Sequence, residues 1–234
     1  MEFPSPPSIS VPGPWTSPEQ AFGTLTEAAF APYAVEADLP DLSLSTRAPD
    51  AATVTYFRMG GEGFFPPDAL AAVAAHRLIV VMEAPPTPPG ARALLVTAAA
   101  LLDAGGAGVR VDGAVKVVDA DRWRALAADP HPLAPYAALV QVLQDPRRGT
   151  HSLGMHYFGL PDVRVDVEMA PQGAFETVHR LNQMQIAEPG AFSDGQPLTL
   201  DGREGLVLHH EPDHLAPAQH PSRNPYGRWR VAAA

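Results

Sequence analysis

Apolar and polar residues alternate with a period of two in part of this 234-residue chain and follow helical spacing elsewhere. The strictest alternation covers residues 163–169, VRVDVEM, and places the apolar side chains on one face of a strand. Residues 153–157 alternate in the same way. The turn-forming residues 159–162, GLPD, separate the two runs. We therefore expect an antiparallel hairpin over residues 150–169.

Six stretches show helical spacing of apolar residues, and four of them begin with a capping residue or with proline at the first helical position. The longest helix is expected to begin at Pro88, after the N-cap residue Thr87, and to end at Gly105-Gly106. The other five helices are expected after Ser17, from Pro67 to about His76, after Asp119 or Asp121, over residues 136–145, and over residues 175–187.

Clusters of β-branched and aromatic residues predict further strands. Residues 53–59, TVTYFRM, form one, and residues 78–82, LIVVM, form an apolar strand that is expected to be covered on both faces. Asp-Gly pairs predict hairpins over residues 109–117 and 198–208. Three segments remain. Residues 1–15 form an extended arm that could add an edge strand, and residues 32–52 form an irregular connection with a loop or short edge strand at residues 38–42. Residues 209–234 form a polar tail rich in proline and histidine.

The order of these elements indicates an α+β fold, with a mixed or antiparallel sheet and helices packed mainly on one face. A ferredoxin-like split βαβ core over residues 78–208 is one specific form of this fold. The length allows one large domain or two small ones. We expect a single domain over residues 1–234.

The amino-acid composition excludes some chemistries and some classes of binding partner for this protein. The chain has no cysteine, which excludes disulfides and thiolate chemistry, and its net charge of −10 argues against binding nucleic acid or anionic membranes. The N-terminus lacks the basic region of a signal peptide, and no run approaches the roughly 20 apolar residues of a membrane span. We therefore expect a soluble, cytoplasmic protein. Frequent alanine and proline, with Lys116 as the sole lysine, indicate a GC-rich bacterial genome.

The C-terminal tail contains a cluster of histidines and carboxylates. His209, His210 and His214, with His220 further on, carry imidazole nitrogens of the kind that bind zinc or another divalent metal. Pro212 argues against a helix here, and neither HExxH nor an HxH strand pair is present. The candidate metal ligands are therefore His209, His210 and His214, and a solvated loop is the alternative.

Other catalytic motifs are incomplete. Residues 60–63, GGEG, lack the lysine and the serine or threonine of a phosphate-binding loop. Asp162 and Glu168 resemble the start of a PD…ExK nuclease motif, but Ala170 stands where the lysine belongs. The serine-hydrolase motif G-x-S-x-G is absent. His156 could act as a base, although a histidine on a half-exposed sheet face is more simply a polar neighbour, so we expect no catalytic residue.

The segment Gly154-Met155-His156-Tyr157-Phe158-Gly159-Leu160-Pro161-Asp162-Val163 resembles a family of bacterial domains of unknown function with a central G-x-x-x-F-G-L-P/x-[DE]-[IV] segment. The resemblance covers roughly residues 76–170, including the long alanine-rich helix and the hairpin after it. The motif has the character of a turn and strand signature. The resemblance therefore implies a related fold and no catalytic residues.

The sequence leads us to expect a non-enzymatic binding or accessory protein, of which an immunity or regulatory protein is one form. No nucleophile, base and oxyanion donors can be assembled from its motifs. The exposed face of the 150–169 hairpin and the acidic surface are the candidate contact regions for another protein. A metal-dependent hydrolase using the C-terminal histidines is the alternative, and a structural subunit of a larger assembly is a third possibility.

Overall fold

The computed structural model describes residues 7–33, 40–60, 65–146, 148–166, 173–200, 203–217 and 219–234. They form two compact units, an N-terminal unit up to Leu139 and a C-terminal unit from Val140. Each unit combines helices with a β-sheet, which confirms the predicted α+β class. The expected single domain stays a prediction. None of the described helices is long and apolar enough to cross a membrane.

The sheet of the N-terminal unit consists of β1 (Ser8–Gly13), β2 (Ser43–Arg47), β3 (Leu78–Glu83), β4 (Val109–Val111) and β5 (Lys116–Val118). Its order is β2-β3-β1-β4-β5, with all neighbours antiparallel. The apolar strand β3 is internal, as predicted. β1 is also internal, so the expected edge strand is wrong. Its polar face is suited to this position because Ser8 and Ser10 donate hydrogen bonds to the buried Asp112 carboxylate.

The helices of this unit are α1 (Pro18–Phe22), α2 (Glu27–Phe30), α3 (Ala51–Gly60), α4 (Pro67–Ala74), α5 (Pro88–Asp103), α6 (Ala120–Ala128) and α7 (Ala134–Leu139). Three predicted N-caps are confirmed. The side chains of Ser17, Thr87 and Asp119 each accept a hydrogen bond from the backbone N–H three residues later. Twelve of the 16 residues of α5 are buried, so α5 contributes a large part of the core of the unit.

The connection over residues 32–52, expected to be irregular, contains the edge strand β2. Two further local predictions are wrong. Residues 53–59 lie in helix α3, because Thr53 and Phe57, four positions apart, are both buried on one helical face. That burial outweighs the β-propensity of the segment. The helix expected over residues 136–145 ends at Leu139, and Leu143 lies in the next strand.

The hairpin predicted over residues 109–117 is confirmed as the antiparallel pair β4–β5. Its turn is not a two-residue type I′ turn. Asp112–Ala114 form a 3-10 turn, and Val115 follows in the left-handed conformation with φ 52°. A β-branched residue rarely adopts this backbone conformation.

The C-terminal unit contains β6 (Gln141–Asp145), β7 (Gly149–Leu153), β8 (Asp162–Val165), α8 (Ala174–Ala187), β9 (Gln196–Leu200), β10 (Arg203–Glu211) and β11 (Arg228–Ala233). The sheet order is β6-β7-β8-β11-β10-β9, and β8 and β11 are parallel. Helix α8 packs on one face through Val178 and Leu181, which share a core with Val163, Leu208 and Trp229. The predicted helix and the β9–β10 hairpin are confirmed.

The hairpin predicted over residues 150–169 is confirmed in part. β7 and β8 are antiparallel, with Thr150 opposite Val165. Residues 155–158 form a buried 3-10 helix rather than the end of a strand, because Gly154 and Gly159 flank it with φ angles of 113° and 73°. Residues 167–169 of the prediction lie outside the described residues.

The predicted polar tail over residues 209–234 is wrong, because it supplies the end of β10 and the whole of β11, an internal strand. Trp229 and Val231 belong to the core of the unit. The prediction failed because Arg228 and Arg230, which alternate with them, gave the segment a polar sequence. The strands between residues 78 and 208 are divided between two sheets, so they do not form one ferredoxin-like core.

Candidate functional site

The sheet of the C-terminal unit has a polar second face, opposite helix α8. Cross-strand partners share a face, and the register places one continuous row there. The row contains Leu143, His151, Arg164, Arg230 and His209. The described residues of the loop between β10 and β11, 212–217 and 219–227, are called loop 212–227. They lie over part of this face, since Leu215, Ala216 and Ser222 line a cleft together with residues of β6 and β7.

Arginine and carboxylate side chains form ion pairs on this face. Arg164 contacts Asp166 at 2.9 Å, and Arg230 contacts Asp166 at 3.1 Å and Glu211 at 3.4 Å. All four side chains are partly exposed to solvent. This exposed face of the β7–β8 hairpin is therefore charged, with both signs present.

A buried polar network attaches the loop to the sheet. The Asp162 carboxylate accepts hydrogen bonds from Ser152 Oγ at 3.0 Å, from Met155 N at 3.2 Å and from Asn224 Nδ2 at 2.8 Å. Asn224 Nδ2 also lies 2.9 Å from the carbonyl oxygen of Leu160. Asp162 therefore joins β7, the 3-10 turn and the loop at one point.

A buried ion pair makes a second attachment. Arg228 Nη2 contacts Asp213 Oδ1, and both side chains are almost completely buried. Asp213 also accepts hydrogen bonds from Leu215 N and Asn224 N, each at 2.8 Å. Both carboxylate oxygens are thus used inside the protein, which gives this pair an architectural role.

Burial changes the pKa values of this region. Desolvation raises the pKa of Asp162 to about 7, although its hydrogen bonds from Asn224, Met155 and Ser152 and the charge of Arg228 favour the ionised form. Desolvation lowers the pKa of His156 to about 4 and also lowers that of His151. Both imidazoles are therefore expected to be neutral at pH 7.

An open cleft of about 300 Å³ lies beside the network. Its polar lining includes Gln144, Asp145, Arg148, His151 and Ser222. His151 is only 5% exposed, and its Nδ1 lies 3.4 Å from the carbonyl oxygen of Gly149. Its Nε2 has no hydrogen-bond partner among the described residues and belongs to a side chain that lines the cleft. His151 is thus a buried imidazole in the cleft lining, and its lowered pKa favours the neutral form at pH 7.

Ser222 and His220 are hydrogen-bonded at the cleft wall, with 2.7 Å between Ser222 Oγ and His220 Nδ1. The same ring nitrogen lies 3.2 Å from the backbone N–H of Ser222. The contact therefore closes a local turn. In the described part of the chain, no carboxylate is hydrogen-bonded to His220, so this pair lacks the third group of a serine-histidine-acid triad.

His156 does not lie on a half-exposed strand face, as the sequence led us to expect, but is 4% exposed within the 3-10 turn. Its ring stacks on Tyr157 with 4.7 Å between centroids. Neither ring nitrogen has a hydrogen-bond partner in the residues that the structure describes. A buried ring without access to the cleft lining is poorly placed to act as a base.

The candidate metal ligands are not brought together. His209 and His210 are consecutive in β10 and therefore lie on opposite faces of the sheet. His209 Nδ1 lies 3.8 Å from Asp194, whereas His210 Nε2 lies 2.9 Å from the carbonyl oxygen of Tyr226. His214 is exposed in the loop. Within the described ranges, no three His, Cys, Asp or Glu residues are grouped to hold a metal ion.

Sequence reasoning missed the residues of the cleft and its network. Asp162 was interpreted as a turn residue, Asp213 was considered only as a carboxylate of the C-terminal histidine cluster, and His151, Asn224 and Arg228 were not singled out. Asn224 and Asp162 lie far apart in the chain and meet only because β11 pairs with β8. The one local sign of this region in the sequence is the alternation of charged and apolar residues from Arg228 to Val231, which is typical of a strand.

Comparisons of the chain with protein families, with curated proteins and with solved structures give no match.

Proposed function

We propose that the chain is a non-enzymatic binding protein of the bacterial cytoplasm, which recognises another protein through the second face of its C-terminal unit. A side chain of the partner would enter the cleft between the β6–β7 hairpin and loop 212–227. The ion-paired surface of Arg164, Asp166 and Arg230 would lie alongside it.

The observation that supports this proposal is that some polar groups are hydrogen-bonded within the protein, whereas others line the cleft. The carboxylates of Asp162 and Asp213 already accept hydrogen bonds from within the protein, so they hold the loop in place. The cleft lining combines Gln144, Arg148 and His151 with apolar side chains. Such a mixture of apolar walls and a few polar groups is typical of a recognition pocket, and 300 Å³ is at the small end of the usual range.

The chemistry of the cleft supports binding more than catalysis. A hydrolase needs a nucleophile, a base and donors that stabilise the developing negative charge. Ser222 has a histidine partner, but that histidine is engaged by a local backbone N–H. The metal-dependent hydrolase, based on His209, His210 and His214, would require three ligands around one ion.

The proposal is tested by site-specific photo-crosslinking in bacterial cells that express the full chain. A photoreactive residue replaces Gln144 at the exposed rim of the cleft, and a matched one replaces Glu176, which is exposed on α8 at the other face. We expect one reproducible crosslinked protein from position 144 that is absent from position 176.

A cleft-filling variant provides the control. Ala216→Trp places an indole in the cleft from the loop side and should remove the crosslink at position 144. A crosslink that survives Ala216→Trp, or one that appears equally at position 176, contradicts recognition through the cleft. Absence of any specific product at position 144 contradicts it as well.

A further inference from the structure

A second cavity lies in the N-terminal unit, between helix α3 and the sheet. It has a volume of about 80 Å³. Four of the side chains that line it carry hydrogen-bond donors, namely Ser10, Arg47, Thr53 and Arg110. Asp50, which caps α3 through a 2.8 Å hydrogen bond from Ala52 N, lies at its edge. The cavity is the size of a small polyatomic ion.

The strand register brings the two arginines to one side of the sheet. Arg47 of β2 is opposite Ile79 of β3, which is opposite Pro12 of β1, so these three positions share a face. Ser10 lies two residues before Pro12 and is opposite Arg110 of β4. Arg47 and Arg110 therefore project from the same face, beneath the first turn of α3.

Arg110 is held in a fixed orientation. Its Nε lies 2.8 Å from Asp112 Oδ1, and its guanidinium carbon lies 4.0 Å from the centre of the Tyr56 ring. Asp112 is itself fixed by Ser10, whose hydroxyl donates to the other carboxylate oxygen at 2.7 Å. The two terminal nitrogens of Arg110 make no hydrogen bond or ion pair with the described residues, so the donor edge of the fork remains available.

Two further donors line the cavity without partners of their own. Arg47 makes no ion pair or side-chain hydrogen bond within the described ranges, and it is exposed at the cavity mouth. Thr53 is 4% exposed, and its hydroxyl has no hydrogen-bond partner among the residues that are described. The Thr53 hydroxyl can therefore donate a hydrogen bond to a ligand that enters the cavity.

The available donors in the cavity are the guanidinium groups of Arg47 and Arg110 and the hydroxyl of Thr53. A ligand that matches them is a compact group with several negatively charged oxygens. Two guanidinium groups match tetrahedral oxyanions through paired N–H···O hydrogen bonds. We propose that this cavity binds a phosphate-type oxyanion, either as the free ion or as the phosphoryl group of a larger molecule. The exposed position of Arg47 leaves the mouth open for the remainder of such a molecule.

The test measures the affinity of the full chain for inorganic phosphate, sulfate, phosphoserine and acetate by isothermal titration calorimetry. Each ligand is titrated separately at constant ionic strength. Saturable binding of phosphate is expected, with acetate binding at least about tenfold more weakly because it offers only two oxygens. Tighter binding of phosphoserine than of phosphate would identify a phosphoryl group as the ligand. Equal affinity for both would identify the free ion.

Variants distinguish this cavity from other cationic positions. Arg47→Ala removes an exposed side chain and should weaken the binding of phosphate about tenfold or more. Thr53→Val should weaken phosphate binding by a smaller factor. Arg77→Ala, an exposed arginine of the same unit outside the cavity, is the matched control and should leave binding unchanged. Absence of saturable binding, acetate binding as tight as phosphate, or an affinity that Arg47→Ala leaves unaltered would each overturn the proposal.

Discussion

The side-chain amide of Asn224 donates a 2.8 Å hydrogen bond to the carboxylate of Asp162, in a fully buried position where loop 212–227 meets the first residue of β8. The carboxylate is close to its protonation midpoint at neutral pH, because burial raises its pKa to about 7. The attachment of the loop is therefore coupled to protonation.

The first prediction concerns the pH dependence of stability. Between the ordinary pKa of an aspartate, about 4, and about 7, the folded state holds a proton on Asp162 that the unfolded state has lost. The contribution of Asp162 to the free energy of unfolding is therefore complete below pH 4 and is lost as pH rises to 7. Its slope is at most about 1.4 kcal/mol per pH unit.

This contribution is measured by urea unfolding at several pH values in the wild type and in Asp162→Asn. Subtracting the two curves removes the other titrating groups, whose slopes are common to both proteins. The difference should fall with pH through this window. A flat difference would mean that Asp162 has an unshifted pKa in the folded protein.

The second prediction concerns the buried ion pair. Arg228→Met leaves the carboxylate of Asp213 buried without its cation, and we expect the free energy of unfolding to fall by about 3–5 kcal/mol. Arg230→Met is the matched control, since Arg230 is two positions away on the same face but is partly exposed, and it should cost no more than about 1 kcal/mol. Chemical denaturation gives both values, and equal losses would contradict the distinction.

The third prediction concerns the strained turn between β4 and β5. Val115 is 53% exposed and has φ 52° and ψ 38°, a left-handed conformation that asparagine tolerates better than a β-branched residue. Val115→Asn should raise the free energy of unfolding by about 1 kcal/mol. Val117→Asn places the same side chain in strand β5, where Val117 packs against the core beside Phe57, and should be destabilising. Thermal and urea unfolding would detect the opposite signs.

The fourth prediction concerns a close backbone approach in α5. A Cβ atom at Gly90 would overlap the carbonyl oxygen of Pro85. Gly90→Ala should therefore lower the free energy of unfolding, although alanine favours a helix over glycine by about 1 kcal/mol. Ala125→Gly at an exposed site in α6 measures that propensity within the same protein. Stabilisation by Gly90→Ala would contradict the overlap.

The elements that local chemistry specifies could be predicted from the sequence. The helix starts at Ser17, Thr87 and Asp119 were predictable because a cap uses a side chain and a backbone N–H only three residues apart. The α3 segment was mistaken for a strand because its β-propensity is real, whereas the burial of Thr53 and Phe57 depends on the sheet beneath them.

The candidate site was less accessible to prediction because its contacts join distant parts of the chain. Asp162 and Asn224 each look like turn residues in isolation. Their hydrogen bond exists only once β8 and β11 are paired, and that pairing joins segments on either side of α8, β9 and β10. The cavity beneath α3 likewise depends on the register of four strands and on a helix that the sequence did not reveal.

The internal position of β11 has a kinetic consequence. The hairpins β6–β7 and β9–β10 close short loops, whereas pairing of β8 with β11 closes a long one, so we expect it to form late in folding. Until then, the backbone N–H and carbonyl groups along β8 and β10 lack the partners that β11 supplies. A second copy can offer the same strand to β8 and β10. Refolding at high concentration should therefore favour domain-swapped dimers that exchange β11.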